Sequence, residues 1–141
     1  MTRRRILLFV AGAFVLAQLV PLPRSNPAVA SEVDAPDEVR EVLRRACYDC
    51  HSHESRWPWY AWVAPMSWLV VYDVHEAREH MNLSDWQSYD ADEREDLREE
   101  MWEEVEEGHM PPWFYLPLHA EAELGEADRR LLRAWSEGEG G

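Results

Sequence analysis

Apolar residues return along this chain in one long run and four helical stripes. The run comes first: Ile6 to Val20 (ILLFVAGAFVLAQLV) is interrupted only by Gln18. Past a proline-rich stretch, Val39, Val42, Leu43 and Ala46 recur at i, i+3, i+4 and i+7, the face of an amphipathic helix that leads to Cys47. Asp34 is its expected N-cap, Pro36 sits near the first helical position, and Asp37 and Glu38 suit the helix dipole. A second stripe, Val70, Val74, Ala77 and Met81, predicts a helix from Ser67 to about Asn82. Ser84 and Gln87 have the spacing of a capping box and predict a short turn carrying Trp86. From Ala91 to Glu107 an acidic helix is predicted, capped by Asp90, with Leu97, Met101, Trp102 and Val105 facing inward and Gly108 just past its end. The last helix runs from about Glu126 to Trp135, with Ala127, Leu131, Leu132 and Trp135 in register and Gly125 as a weak cap. Residues 52–66 are aromatic and hold two prolines, so they read as an irregular wrapping loop. No period-2 run of β-branched residues occurs, and the predicted fold class is all-α.

These elements divide the chain into an N-terminal hydrophobic segment (1–24), a linker (25–35), one helical domain (36–136) and a flexible tail (137–141). The cationic start, Met1 to Arg5, followed by an apolar run marks an export segment. Ala28-Val29-Ala30 has the form of a cleavage site but lies beyond Pro21, Pro23 and Pro27, far from the run. An uncleaved signal-anchor is therefore expected. Its 15 residues rise only about 22 Å against a hydrocarbon core of ~30 Å, with Leu22 and a snorkelling Arg24 extending the span. The cationic flank then stays inside, and the domain lies on the periplasmic or outer side of a bacterial inner membrane.

Charge narrows the partners. The net charge is −14, and all 14 basic residues are Arg. Residues 31–141 hold ten Arg against all 28 acids, a net −18. So acidic a body excludes nucleic acid, whose phosphates need cationic side chains, and favours a basic partner protein or simple solvation. Eight Trp in so short a chain point to a large flat apolar object to pack against.

Cys47-Tyr48-Asp49-Cys50-His51 is the C-x-x-C-H pattern of c-type haem attachment. On one helical turn, i and i+3 present two thiols to the vinyl groups along one haem edge, and i+4 directs an imidazole at the iron. Zinc would need further ligands, and the chain has no third cysteine. A thioredoxin-like pair needs a βαβ setting, and a disulfide between residues three apart closes almost no loop. Export agrees with the haem reading, because bacteria attach haem c on the outer side of the inner membrane.

His51 is the expected proximal ligand, with its other ring nitrogen held by an acceptor such as a backbone carbonyl. Met110 is the expected distal ligand, since it follows a helix stop and Pro111 and Pro112 stiffen its loop. It competes with a core-methionine role like that of Met66, Met81 and Met101. His109 and His119 are rival ligands, His75 and His80 read as surface or capping residues, and His53 lies too near His51 to reach the opposite haem face. Trp57, Trp59, Trp62, Trp68, Trp86, Trp102 and Trp113 are candidates for the porphyrin wall, only some of them touching it. Arg56 and Arg78 are candidate propionate partners or ordinary ion-pair residues.

With these segments assembled, the chain resembles the bacterial family of haem-binding domain proteins of cytochrome c type. The resemblance runs from Asn26-Pro27 to Trp135. It rests on the attachment motif with Ser52, Arg56-Trp57-Pro58-Trp59-Tyr60, Ala64-Pro65 with Ser67-Trp68, Glu76 with Arg78, Asn82 with Ser84 and Trp86, and Met110-Pro111-Pro112 with His119. Ala77 stands where the family pattern has Gly, and Leu83 where it has Phe. The resemblance implies one covalent haem c, His51 as proximal and Met110 as distal ligand, and an N-terminal hydrophobic anchor. The expected protein is a small cytochrome c-like helical domain that transfers single electrons and is not an enzyme. A haem-based sensor with a labile or vacant sixth position is the alternative, and a peroxidase using His109 or His119 a more distant one.

Overall fold

A computed structural model describes residues 2–138. It contains six α-helices: α1 (Arg3–Ala17), α2 (Asp37–Ala46), α3 (Tyr48–His51), α4 (Met66–His80), α5 (Ala91–Glu106) and α6 (Glu126–Ser136). Single 3-10 turns at Trp59–Trp62, Trp86–Ser88, Leu116–Leu118 and Ala120–Ala122 link them. Among the described residues the only extended pairing is one isolated bridge, Ser31 to Asp85. The all-α expectation agrees with this architecture. Of the expected tail, only residues 137 and 138 fall within the described range.

The helix ends show which local signals were used. Asp90 accepts from the N–H groups of Asp92 and Glu93, both at 3.0 Å, and Glu93 accepts from Asp90 N–H at 2.8 Å, a full capping box for α5. Gly108, at φ +79°, turns the chain after α5, so that the N–H groups of His109 and Met110 both meet the Glu104 carbonyl. Two expected caps are replaced. Pro36, not Asp34, precedes α2, and no side chain caps that end. Ser84 does not close a box with Gln87; its hydroxyl accepts from His53 N–H at 2.9 Å, a tertiary partner that local spacing does not reveal.

The core lies between α2, α5 and α6. Val39, Val42 and Leu43 of α2 meet Met101 and Val105 of α5 and Leu132 and Trp135 of α6, with Val33, Met81, Leu83 and Trp86 filling in. Trp86 lies 6.0 Å from Trp135 and edge-on to Tyr89 at 5.8 Å. Trp86 and Trp102 therefore belong to this core or its rim and leave the expected haem wall. The segment 25–35, expected as a linker, is a packed strap. Val33 is buried in the core, Ala30 and Ser31 donate to the Ser84 carbonyl, and Asn26 donates to Ser55 O at 2.8 Å. Arg45 ties α2 to α6: it pairs with Asp128 and donates to the carbonyls of Glu121 and Glu123.

The N-terminal anchor requires correction. The apolar run does fold as helix α1, but it has only 15 residues, about 22 Å of rise against the ~30 Å of a hydrocarbon core. Among the described residues no helix is long and apolar enough to cross a membrane. The expected single-span anchor, and the inner-membrane placement that rested on it, are withdrawn. Instead the end of α1 is tied to the domain. Gln18 accepts from Ala64 N–H at 2.9 Å and donates to Ala64 O at 3.4 Å, and Arg24 stacks over Trp62 at 4.3 Å.

Leu43 is fully buried, and Leu43→Ala is expected to lower stability by about 3 kcal/mol, read from the denaturant midpoint of the full chain. The hydrogen bond from Arg45 holds the Asp128 carboxyl below the ordinary range. Its contribution is therefore complete above the ordinary carboxylate value of about 3.9 and is lost as pH falls through the lower folded value. Unfolding followed through that acid range should lose part of its pH slope in Asp128→Asn.

Candidate functional site

The Cys47–His51 turn is built from its own backbone. α2 delivers Cys47, whose N–H still donates to Leu43 O at 2.8 Å. The Cys47 carbonyl then accepts from Cys50 N–H at 3.1 Å and His51 N–H at 2.9 Å, so both thiols and the imidazole ride on one turn. Ser52 ends it: its buried hydroxyl donates to Tyr48 O at 2.7 Å and accepts from Glu54 N–H at 2.9 Å. Leu83 N–H closes the far side on His51 O at 2.7 Å. Both cysteines are free thiols, partly buried. Burial pushes each to about 12, helped by the neighbouring Cys50 for Cys47 and by Asp49 and Asp73 for Cys50.

His51 Nδ1 lies 3.1 Å from the Met81 carbonyl oxygen. A carbonyl can only accept, so Nδ1 carries the proton and Nε2 keeps its lone pair. Burial pushes the imidazole below its usual value, outweighing the carbonyls of Met81 and Ala77 that favour the cation. A neutral ring with Nε2 free is the form that binds metal, and the carbonyl behind it fixes the tautomer. Two thiols and one such imidazole are a donor set that fits haem c.

Around this turn the surface is unusually apolar. Trp59 (76% exposed), Trp62, Val63, Met66, Trp68, Leu69 and Tyr72 lie on the 3-10 turn after Pro58 and the first half of α4. Trp113 (79%), Phe114 and Leu118 are also exposed, on the segment that follows Met110. α4 packs against both α3 and the Trp59–Trp62 turn, so these side chains belong to elements next to the attachment motif. Large exposed aromatics are costly unless something covers them.

The other sequence candidates divide. Met110 is 36% exposed, whereas Met81 and Met101 are core residues, so the core-methionine role does not describe it. His75 and His80 are exposed on α4. His53 is structural, bonded through Nδ1 to Ala28 O and through Nε2 to Asn82. His109 faces Glu104 and Glu107, both at 3.4 Å. His119 stacks on Tyr115 at 3.8 Å, gives its Nδ1 proton to Tyr115 O at 3.1 Å and points Nε2 at Tyr60 OH, 3.5 Å away.

Arg78, a candidate propionate partner, serves as an internal clamp. It donates to Ser52 O (2.7 Å), Ser25 O (2.9 Å), Asn26 Oδ1 (3.2 Å) and Ser55 Oγ (2.9 Å), binding the strap to the loop after His51. Trp57 joins the same knot through Nε1 to Asn26 Oδ1. Arg56 takes the ion-pair role, with Asp49 as its partner. Sequence reasoning missed Asp49, Tyr60 and Tyr115. Asp49 stood in view between the cysteines, but nothing local names its partners.

Fold and site thus define a small helical domain carrying a thiol, thiol and imidazole turn beside an exposed aromatic surface. The chain matches the family described as "Haem-binding domain" over residues 12–138, and it belongs to that family. Haem binding follows from that membership. No curated protein and no solved structure matches the chain.

Arg78→Lys keeps the charge but loses the planar fork, leaving buried carbonyl and hydroxyl groups without donors. It should cost about 2 kcal/mol, measured as a lower thermal midpoint of the full chain.

Proposed function

We propose that this haem-binding domain carries one haem c, joined through thioethers from Cys47 and Cys50, with His51 and Met110 on the iron, and acts as a one-electron carrier rather than an enzyme. The observation that carries the reading is the pairing of two free thiols with a neutral imidazole whose Nδ1 is already held by a carbonyl, all on one turn. When bound, haem supplies reversible one-electron exchange at its iron. The chain's residues do the rest. Met81 O orients His51 and makes it a better donor, and burial keeps the ring neutral. The aromatic surface beside the motif offers a cover that excludes water from a porphyrin. A Met110 thioether held on the iron together with His51 would raise the potential, which suits electron transfer.

The surface charge supports a basic redox partner. α5 alone carries Asp92, Glu93, Glu95, Asp96, Glu99, Glu100, Glu103, Glu104 and Glu106 against Arg94 and Arg98. Such a face steers a cationic protein in a salt-dependent way. A second reading, a sensor that binds a small ligand at a labile sixth position, is favoured by one observation, the partial exposure of Met110 on a loop beyond a helix stop.

Produced in a host that makes cytochromes c, the chain should have the mass of polypeptide plus one haem, and the haem should resist extraction by acidified acetone. The double variant Cys47→Ser, Cys50→Ser should lose it. The ferric spectrum should show a weak far-red band from the thioether, abolished in Met110→Ala. A high-spin ferric spectrum in the unaltered protein would favour the sensor reading, and an unchanged low-spin spectrum in Met110→Ala would pass the role to a histidine.

A further inference from the structure

Asp49 stands between the two cysteines with its side chain only 15% exposed, and it accepts four hydrogen bonds. Arg56 gives three of them, from its backbone N–H (3.0 Å) and Nε (3.2 Å) to Oδ1 and from Nη2 (3.0 Å) to Oδ2. Tyr115 OH gives the fourth, to Oδ2 at 2.9 Å. One carboxylate therefore binds two stretches of chain that flank the attachment turn. Arg56 opens the aromatic loop of Trp57, Trp59 and Trp62. Tyr115 lies five residues beyond Met110, on the segment that also holds Pro111, Pro112 and His119.

The Tyr115 end is firmly built. Its N–H donates to Pro112 O at 2.9 Å, and its ring lies parallel to His119, 3° apart in plane. His119 in turn meets Tyr60, on the opposite flank. A phenol hydroxyl donating to a carboxylate at 2.9 Å is among the stronger hydrogen bonds a protein makes.

We propose that Asp49 is a positioning residue: through Tyr115 it latches the segment from Met110 to His119 onto the Cys47–His51 turn and so keeps the second ligand on the iron. The proposal rests on the haem c reading above. The latch joins a residue of the C-x-x-C-H motif itself to the loop that would carry the distal ligand, the direct hydrogen bond between the two. Without it the distal loop retains the Tyr60 to His119 contact and ring packing, and opens more often. An external ligand binds only the open form, so its apparent affinity reports the open fraction directly.

The test uses the haem-loaded full chain and titrates the ferric form with imidazole, followed optically. Tyr115→Phe keeps the ring on His119 and deletes only the hydroxyl. It should raise imidazole affinity about tenfold and weaken the far-red band, with covalent haem content unchanged. Asp49→Asn should act in the same direction, and the double variant should add little to the larger single effect, as expected of partners in one contact. Leu132→Ala, a remote core cavity, should lower global stability at least as much and leave imidazole affinity as it was. Unchanged affinity in Tyr115→Phe, additive effects of the pair, or an equal rise in Leu132→Ala each overturns the latch while leaving haem c attachment standing. A wild-type chain without covalent haem overturns both readings.

Discussion

The Cys47 carbonyl accepts from both Cys50 and His51, and the remainder of the site is arranged around that one helical turn. Because the two N–H groups converge there, the thiols and the imidazole share one turn. The rest of the domain then immobilises the turn. Ser52 stops it, Leu83 N–H bonds its last carbonyl, and Met81 O holds the imidazole. Each of these contacts comes from the stretch directly after the motif or from the loop after α4. The loop 81–89 thus serves two masters, lining the core with Leu83 and Trp86 and holding the His51 imidazole from behind with Met81.

A division of labour among the aromatic residues follows. Trp86 and Trp135 close the core with α2, α5 and α6, a complete apolar cluster by itself. Trp59, Trp62, Trp68 and Trp113 contribute nothing to that cluster and stand largely exposed. A chain of this length has too little interior to bury eight indoles, and the ones left over belong to the elements nearest the attachment turn. The acidic residues gather elsewhere, on α5, where they can be solvated without crowding the apolar surface.

Polar side chains with several donors or acceptors bind the segments together. Arg78 knots Ser25 and Asn26 to Ser52 and Ser55, Asp49 joins Arg56 to Tyr115, and Arg45 fastens α2 to the start of α6. These knots turn a proline-rich stretch that reads as a spacer into part of the domain. The Arg78 guanidinium is engaged by four acceptors within the chain.

The sequence alone determined what depends on neighbours along the chain. The Cys47–His51 turn, the cap at Asp90, the stripes of α2 and α5 and the stop at Gly108 were legible because their periods and partners lie within four residues or so, whereas of the stripe expected on α6 only Leu132 and Trp135 are buried and Ala127 and Leu131 face out. Tertiary structure decided which acceptor each long polar side chain reaches, which Trp enter the core, and that Ser84 serves His53 rather than its own turn. It also decided that the first helix runs from Arg3 to Ala17 rather than to Val20, with Gln18 just past its end bonded to the backbone of Ala64. A hydrogen bond across 66 residues, such as Tyr115 to Asp49, leaves no periodic trace in the sequence, because only folding brings its two ends to one place.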